Sequence, residues 1–142
     1  MIFSRTLKGL CLGVGLLLPI SALAQTGGLT VELNKVEPSE SGGCSAYFLF
    51  RNETDNRFDG FEMSLAILDT QGVINRLLSI DAAPLPVSRT TLKLFEIPEI
   101  TCEEISEILL HDLTSCRPQN GAEMDCFPIL TLRSRAPAAL VK

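Results

Sequence analysis

The chain has 142 residues, 46% hydrophobic and 20% charged, with a formal net charge of −5, five cysteines, one histidine and no tryptophan. At this length a single domain is expected, and the acidic balance excludes a general nucleic-acid binder, which needs basic surface to neutralise phosphates. Aromatic residues at 6% are too few for stacking platforms on single strands, and apolar residues throughout the chain exclude low-complexity disorder.

Residues 1–24 have the three parts of a secretory signal peptide. Arg5 and Lys8 form a positive start, an apolar stretch runs from Leu10 to Ile20, and Ala22-Leu23-Ala24 offers small residues for cleavage before Gln25. A membrane anchor would need roughly 20 apolar residues, and this stretch is shorter and contains Pro19. Cys11 would leave with the leader. Removing Arg5 and Lys8 leaves ten basic against 17 acidic side chains, a formal charge of −7 for the expected mature chain, 25–142. No stable membrane insertion is expected after cleavage, and the expected location is outside the cytoplasm.

The mature chain reads as strands. Residues 29–36 alternate apolar and polar with period two, as a half-buried strand does. Residues 45–50 form a second strand with Ala46, Phe48 and Phe50 on one face, and 52–60 is a polar loop. Phe61, Met63, Leu65 and Ile67 mark a third strand that extends to Asp69. Asp69-Thr70-Gln71-Gly72 has hairpin-turn chemistry, with Gly72 free to take a positive φ. A fourth strand covers 73–80, Pro84-Leu85-Pro86 interrupts, and a fifth covers 90–96. Thr101-Cys102-Glu103-Glu104 fits a capping box. The following residues suit either a helix over 102–113 or a buried strand, and we expect one helical turn at 101–105 and then a strand over 107–115. A seventh strand covers 128–133, and 135–142 is expected to be a frayed tail. Seven short strands at this spacing predict an all-β fold, an immunoglobulin-like antiparallel β-sandwich with one short helical turn.

Four cysteines remain after cleavage: Cys44, Cys102, Cys116 and Cys126. An even number in an exported chain points to two disulfides. Zinc sites usually contain a close cysteine pair, whereas the spacings here are 58, 14 and 10 residues, without a Cys-x-x-Cys motif. In the expected strand order, Cys44 opens the second strand and Cys102 precedes the sixth, at one end of the sandwich. Cys116 and Cys126 flank the loop between the sixth and seventh strands. The expected bonds are therefore Cys44–Cys102 and Cys116–Cys126.

Gly43-Cys44-Ser45-Ala46-Tyr47-Phe48, the Asp69-Thr70-Gln71-Gly72-Val73 hairpin, Pro84-Leu85-Pro86 and Cys102-Glu103-Glu104-Ile105 together resemble small exported bacterial proteins of unassigned function. The resemblance spans most of the mature chain. It implies a periplasmic address and brings no active site with it.

Motifs for chemistry are few. His111 is the single histidine, and its neighbour Asp112 would face the other side of a strand. No His-Glu-x-x-His, Gly-x-Ser-x-Gly or phosphate-cradling glycine loop occurs. Asp55, Asp59 and Gly60 resemble part of a calcium loop, but Arg57 occupies a ligand position and Ala66 stands where the closing glutamate belongs. Asn52-Glu53-Thr54 is a glycosylation sequon. No catalytic residue, metal site or cofactor is expected.

What remains is a surface. Loops 52–60, 81–88 and 117–125 should meet at one end of the sandwich, bringing together Asp55, Asp59, Asp81, Glu123 and Asp125 around Phe58 and Leu85. An acidic rim around apolar points suits a basic protein partner. The expected function is thus a non-catalytic interaction module, such as an accessory subunit, assembly factor or inhibitor. The alternative is a thiol redox or metal-binding protein using Cys44, Cys102, Cys116 and Cys126. An enzyme using carboxylates alone is a third reading.

Overall fold

A computed structural model describes residues 27–142; the expected leader, its cleavage point and Cys11 lie outside the described residues. Eight strands form two four-stranded sheets. The strands are β1 (Leu29–Pro38), β2 (Cys44–Asn52), β3 (Phe58–Asp69), β4 (Ile74–Asp81), β5 (Arg89–Ile97), β6 (Ile105–Pro118), β7 (Leu130–Ser134) and β8 (Ala139–Val141). One sheet has the order β5-β2-β1-β7 and the other β4-β3-β6-β8. The inner faces meet in one core built on Phe48, Phe50, Phe61, Met63, Leu65 and Ile108. Phe50 of one sheet meets Phe61 of the other edge-to-face at 6.0 Å between ring centres, a favoured aromatic geometry.

Period two is visible along β2, where Cys44, Ala46, Phe48, Phe50 and Asn52 are buried and the residues between them are half-buried. In β1 a bulge skips Asn34, so the inward set changes from Leu29, Val31 and Leu33 to Val36. An extra residue in one strand shifts every later side chain to the other face. The hairpin between β3 and β4 forms as expected. Gly72 has a φ of 76°, and the Asp69 carboxylate accepts from the backbone N–H groups of Gln71 (2.9 Å) and Val73 (3.0 Å).

Both disulfides have the expected pairing, Cys44–Cys102 and Cys116–Cys126. The first joins the start of β2 in one sheet to the turn before β6 in the other, so both strands leave the same end. The register then fixes the rest: β1, β3 and β5 run one way and β2, β4 and β6 the other.

Over 101–118 the expected order holds: Thr101 starts a 3-10 turn over Cys102–Glu104, its N–H donating to the Glu104 carboxylate at 2.9 Å, and β6 follows. Four features differ from the sequence-based expectation. A second 3-10 turn spans Phe127–Ile129. The sandwich is not wholly antiparallel, because β7 pairs parallel with β1 and β8 parallel with β6. In addition, β4 pairs with β3, whereas in a constant-type immunoglobulin domain the fourth strand lies beside the fifth.

The tail is the fourth difference: 139–141 is strand β8, not a frayed end. Ala138 and Leu140 are buried in the core. The preceding bend is fixed by Arg135, whose N–H donates to the Leu33 carbonyl at 2.8 Å. Its guanidinium meets the Glu32 carboxylate at 3.1 Å. Glu32 is only 5% exposed; the amide of Asn34 donates to it at 2.7 Å. Despite the cost of burial, the Asn34 hydrogen bond, with Arg135 adding to it, holds the Glu32 carboxyl below the usual carboxylate range.

Two predictions follow from these ties. Replacing Cys44 and Cys102 together by alanine should lower stability by about 4 kcal/mol, and replacing Cys116 and Cys126 by about 3 kcal/mol, from the loop entropy each bond removes; urea unfolding of the purified variants measures both. Glu32 ionises more readily folded than unfolded, so its stabilisation is present above the unfolded carboxylate pKa and is lost as pH falls through the lowered value. Glu32→Gln should therefore destabilise at pH 7 and reduce the acid-induced loss, read from melting temperature against pH.

Candidate functional site

The three end loops do meet. The Leu85 backbone exchanges hydrogen bonds with Phe58, N–H to carbonyl, at 2.8 and 3.0 Å, and the Gln119 N–H reaches the Arg57 carbonyl at 2.7 Å. Asn52 is the hub. It is 1% exposed; its amide group donates to the carbonyls of Asn56 (2.8 Å) and Leu85 (3.0 Å). Its side-chain oxygen accepts from the N–H and hydroxyl of Thr54 at 3.0 and 2.7 Å. The full hydrogen-bonding capacity of a side-chain amide is thereby used. The sequon nitrogen of Asn52 is thus committed inside the folded chain.

The apolar centre expected at this end is not on the surface. Phe58 and Leu85 are 1% and 2% exposed and belong to the core, because the bridge between them folds both side chains inward. Most of the acidic residues named with them brace the loops. Asp59 pairs with Arg57 at 2.7 Å. Glu123 accepts from the Ser115 hydroxyl and the Cys116 N–H, each at 2.8 Å, and Asp125 accepts from the Phe127 N–H at 3.1 Å. Asp55 is exposed and lines a small cleft of about 240 Å³ with Met124. Asp81 accepts from the Ala83 N–H at 3.0 Å.

The structure also makes one pair that sequence analysis did not. On the outer face of β3 and β6, Ser64 Oγ lies 2.7 Å from His111 Nε2. A serine nucleophile needs its base oriented by a third group and an oxyanion site nearby. Among the described residues no side chain holds the other ring nitrogen, and both residues lie on an open sheet face. The pair is a surface hydrogen bond. Among the described residues, no cluster of three or more His, Cys, Asp or Glu side chains could hold a metal ion, and all four cysteines are bonded.

A different surface has more unmet chemistry. Strand β7 lies against β8 along one side of the sandwich, while β4 and β5 end their sheets on the other. Among the described residues, seven large apolar side chains are exposed, and six of them lie on these end strands or just before them. They are Val73, Ile74 and Leu77 at β4, and Val87, Leu92 and Leu94 at β5. Leu92 and Leu94 face outward beside Leu49 and Tyr47 of β2. A shallow cleft of about 540 Å³ opens at the start of β5, lined by Arg51, Asn52, Glu53, Ser88, Arg89 and Thr90. A second, of about 380 Å³, continues along the strand past Thr91 to Lys93. Patterning could have found the apolar residues, since Leu92 and Leu94 alternate with Lys93 and Phe95. Their exposure depends on β5 being an end strand, which no local signal announces.

Compared with known proteins, the chain matches no family model, no curated protein and no solved structure. Two intramolecular disulfides fit an oxidising compartment, and no described helix is long and apolar enough to cross a membrane.

Because Phe58 and Leu85 are core residues, Phe58→Ser or Leu85→Ser should each lower stability by about 3 kcal/mol or more. Asp55→Asn should leave the melting temperature nearly unchanged. Thermal unfolding of the three variants separates a structural end from an exposed one.

Proposed function

We propose that this chain is an exported, non-catalytic interaction module that binds a protein partner in the bacterial periplasm. The leader pattern of residues 1–24 and the two disulfides support the address. An immunoglobulin-like sandwich, with β4 beside β3 and a parallel closing strand, is our reading of the architecture. Such sandwiches are rigid frames that present strands and loops to partners.

One observation carries the proposal. Six of the seven exposed large apolar side chains gather at the two strands that end the sheets on one side. Isolated exposed apolar residues need no explanation, but neighbours on one face do: Leu92 and Leu94 stand on the outer face of β5 beside Leu49 and Tyr47, and Leu77 stands on the outer face of the other sheet. Sheet-end strands are also where exposed backbone N–H and C=O groups invite pairing. The acidic end loops, first candidates from the sequence, keep Asp55, Asp81, Glu123 and Asp125 exposed but lose their apolar centre, Phe58 and Leu85, to the core. Support is therefore stronger for the β4–β5 side.

The test uses the mature protein crosslinked in its native compartment, comparing wild type with Ile74→Ser/Leu77→Ser and Leu92→Ser/Leu94→Ser. These exposed substitutions should change stability by no more than about 0.5 kcal/mol. Loss of a discrete crosslinked species in at least one double variant, at unchanged melting temperature, is the expected result. A crosslinking pattern identical in all three proteins would contradict the proposal.

A further inference from the structure

Resting on that reading, we infer that the open edge of β5 takes an extended segment of the partner as an added strand, and that this segment alternates apolar and acidic residues. The described residues hold ten Lys and Arg side chains. Five of them, Lys35, Arg57, Arg76, Arg117 and Arg135, are in ion pairs. Of the other five, Arg51, Arg89 and Lys93 line the two adjoining clefts at the first half of β5. Three cations outside ion pairs thus line adjoining clefts in an acidic chain, Arg89 and Lys93 on one face of the sheet and Arg51, opposite Thr90, on the other. Glu53 is the one carboxylate lining either cleft.

Backbone geometry sets how these groups are met. β5 pairs with β2 on one side only, so alternate N–H and C=O groups on its other side are free for a further strand. Along β5, Arg89, Thr91 and Lys93 share one face and Thr90, Leu92 and Leu94 the other. An added strand has the same period of two. Its side chains on one face would lie beside Arg89 and Lys93, and those on the other beside Leu92 and Leu94. Acidic and apolar residues in alternation satisfy both faces. At the far end of β5, Glu96 accepts from Ser39 at 2.9 Å and from Ser41. The acidic positions therefore belong alongside residues 89–93.

Neither a second copy nor another edge fits as well. An antiparallel pairing of two β5 strands centred on Thr91 would set Arg89 opposite Lys93, and like charges directly opposite destabilise a sheet. On β4, Arg76 already meets Glu99 at 3.4 Å, which leaves no free cation to select a partner. On the other side β7 and β8 also end their sheets, but β7 offers one cation outside ion pairs, Arg133, β8 offers none, and neither carries an exposed large apolar side chain.

The test is an NMR titration of the disulfide-bonded, isotope-labelled protein with two synthetic peptides as long as the nine residues of β5. One alternates Val and Glu and the other Val and Lys. Saturable binding of the Val/Glu peptide, with shifts on β5 and slowed exchange of its outward amides, is expected. The Val/Lys peptide should bind at least about tenfold more weakly, and Arg89→Glu/Lys93→Glu should reverse the order. Should that variant not fold, weakening of Val/Glu binding to the wild type by added salt provides the same check. Equal binding of both peptides, shifts centred away from β5, or dimerisation through β5 would overturn the inference. If crosslinking to the native partner still depends on the β4–β5 side while the peptides fail, only the strand-addition inference falls.

Discussion

The bond between Cys44 and Cys102 is the constraint on which the rest of the structure depends. It ties the first residue of β2 to the turn before β6 across 58 residues of sequence, and so joins the two sheets at one end. With those two strands leaving the same end, antiparallel pairing sets the direction of β1, β3, β4 and β5. The aromatic and aliphatic residues of β2 then face those of β3 and β6, as in the contact of Phe50 with Phe61. A core with so few aromatics leans on this tie, because the net stability of a domain is only about 5–15 kcal/mol.

The sandwich treats its two sides differently. On one side β7 and β8 close the sheets with parallel pairings, and the clamp of Arg135 on Glu32 fixes the bend between them. Burial of Ala138 and Leu140 makes the chain end part of the core. On the other side β4 and β5 each pair along one edge only, and there the exposed leucines, Ile74 and three of the five cations outside ion pairs lie. In the proposed role the β7–β8 side holds the frame and the β4–β5 side meets the partner.

Much of this was legible in the sequence, and the exceptions have physical reasons. The alternation in 45–50, the Asp69–Gly72 hairpin and the cysteine pairing depend on local period and strand direction, and each appears as read. Over 102–113 helical spacing and strand burial compete. The capping box forms its single turn, and pairing with β3, through four irregular points, carries the rest as strand and extends β6 to 14 residues. Residues 135–142 looked frayed because Pro137 and Arg135 read as a polar end, while Ala138 and Leu140 held the missed period of two. Topology placed the acidic loops together correctly. Phe58 and Leu85 were misplaced because their bridge joins segments distant in sequence. Which cations remain unpaired is likewise a tertiary fact, visible only once Arg57, Arg76, Arg117 and Arg135 have met their carboxylates.

The sandwich is packed together at β7 and β8 and leaves β4 and β5 with one unpaired edge each. Residue-resolved amide hydrogen exchange on the disulfide-bonded protein tests this arrangement most directly. The account predicts slow exchange throughout β2 and the paired part of β3, protected amides within 139–141, and alternating slow and fast amides along β4 and β5. Uniform protection along β5, or rapid exchange throughout 139–141, would contradict it.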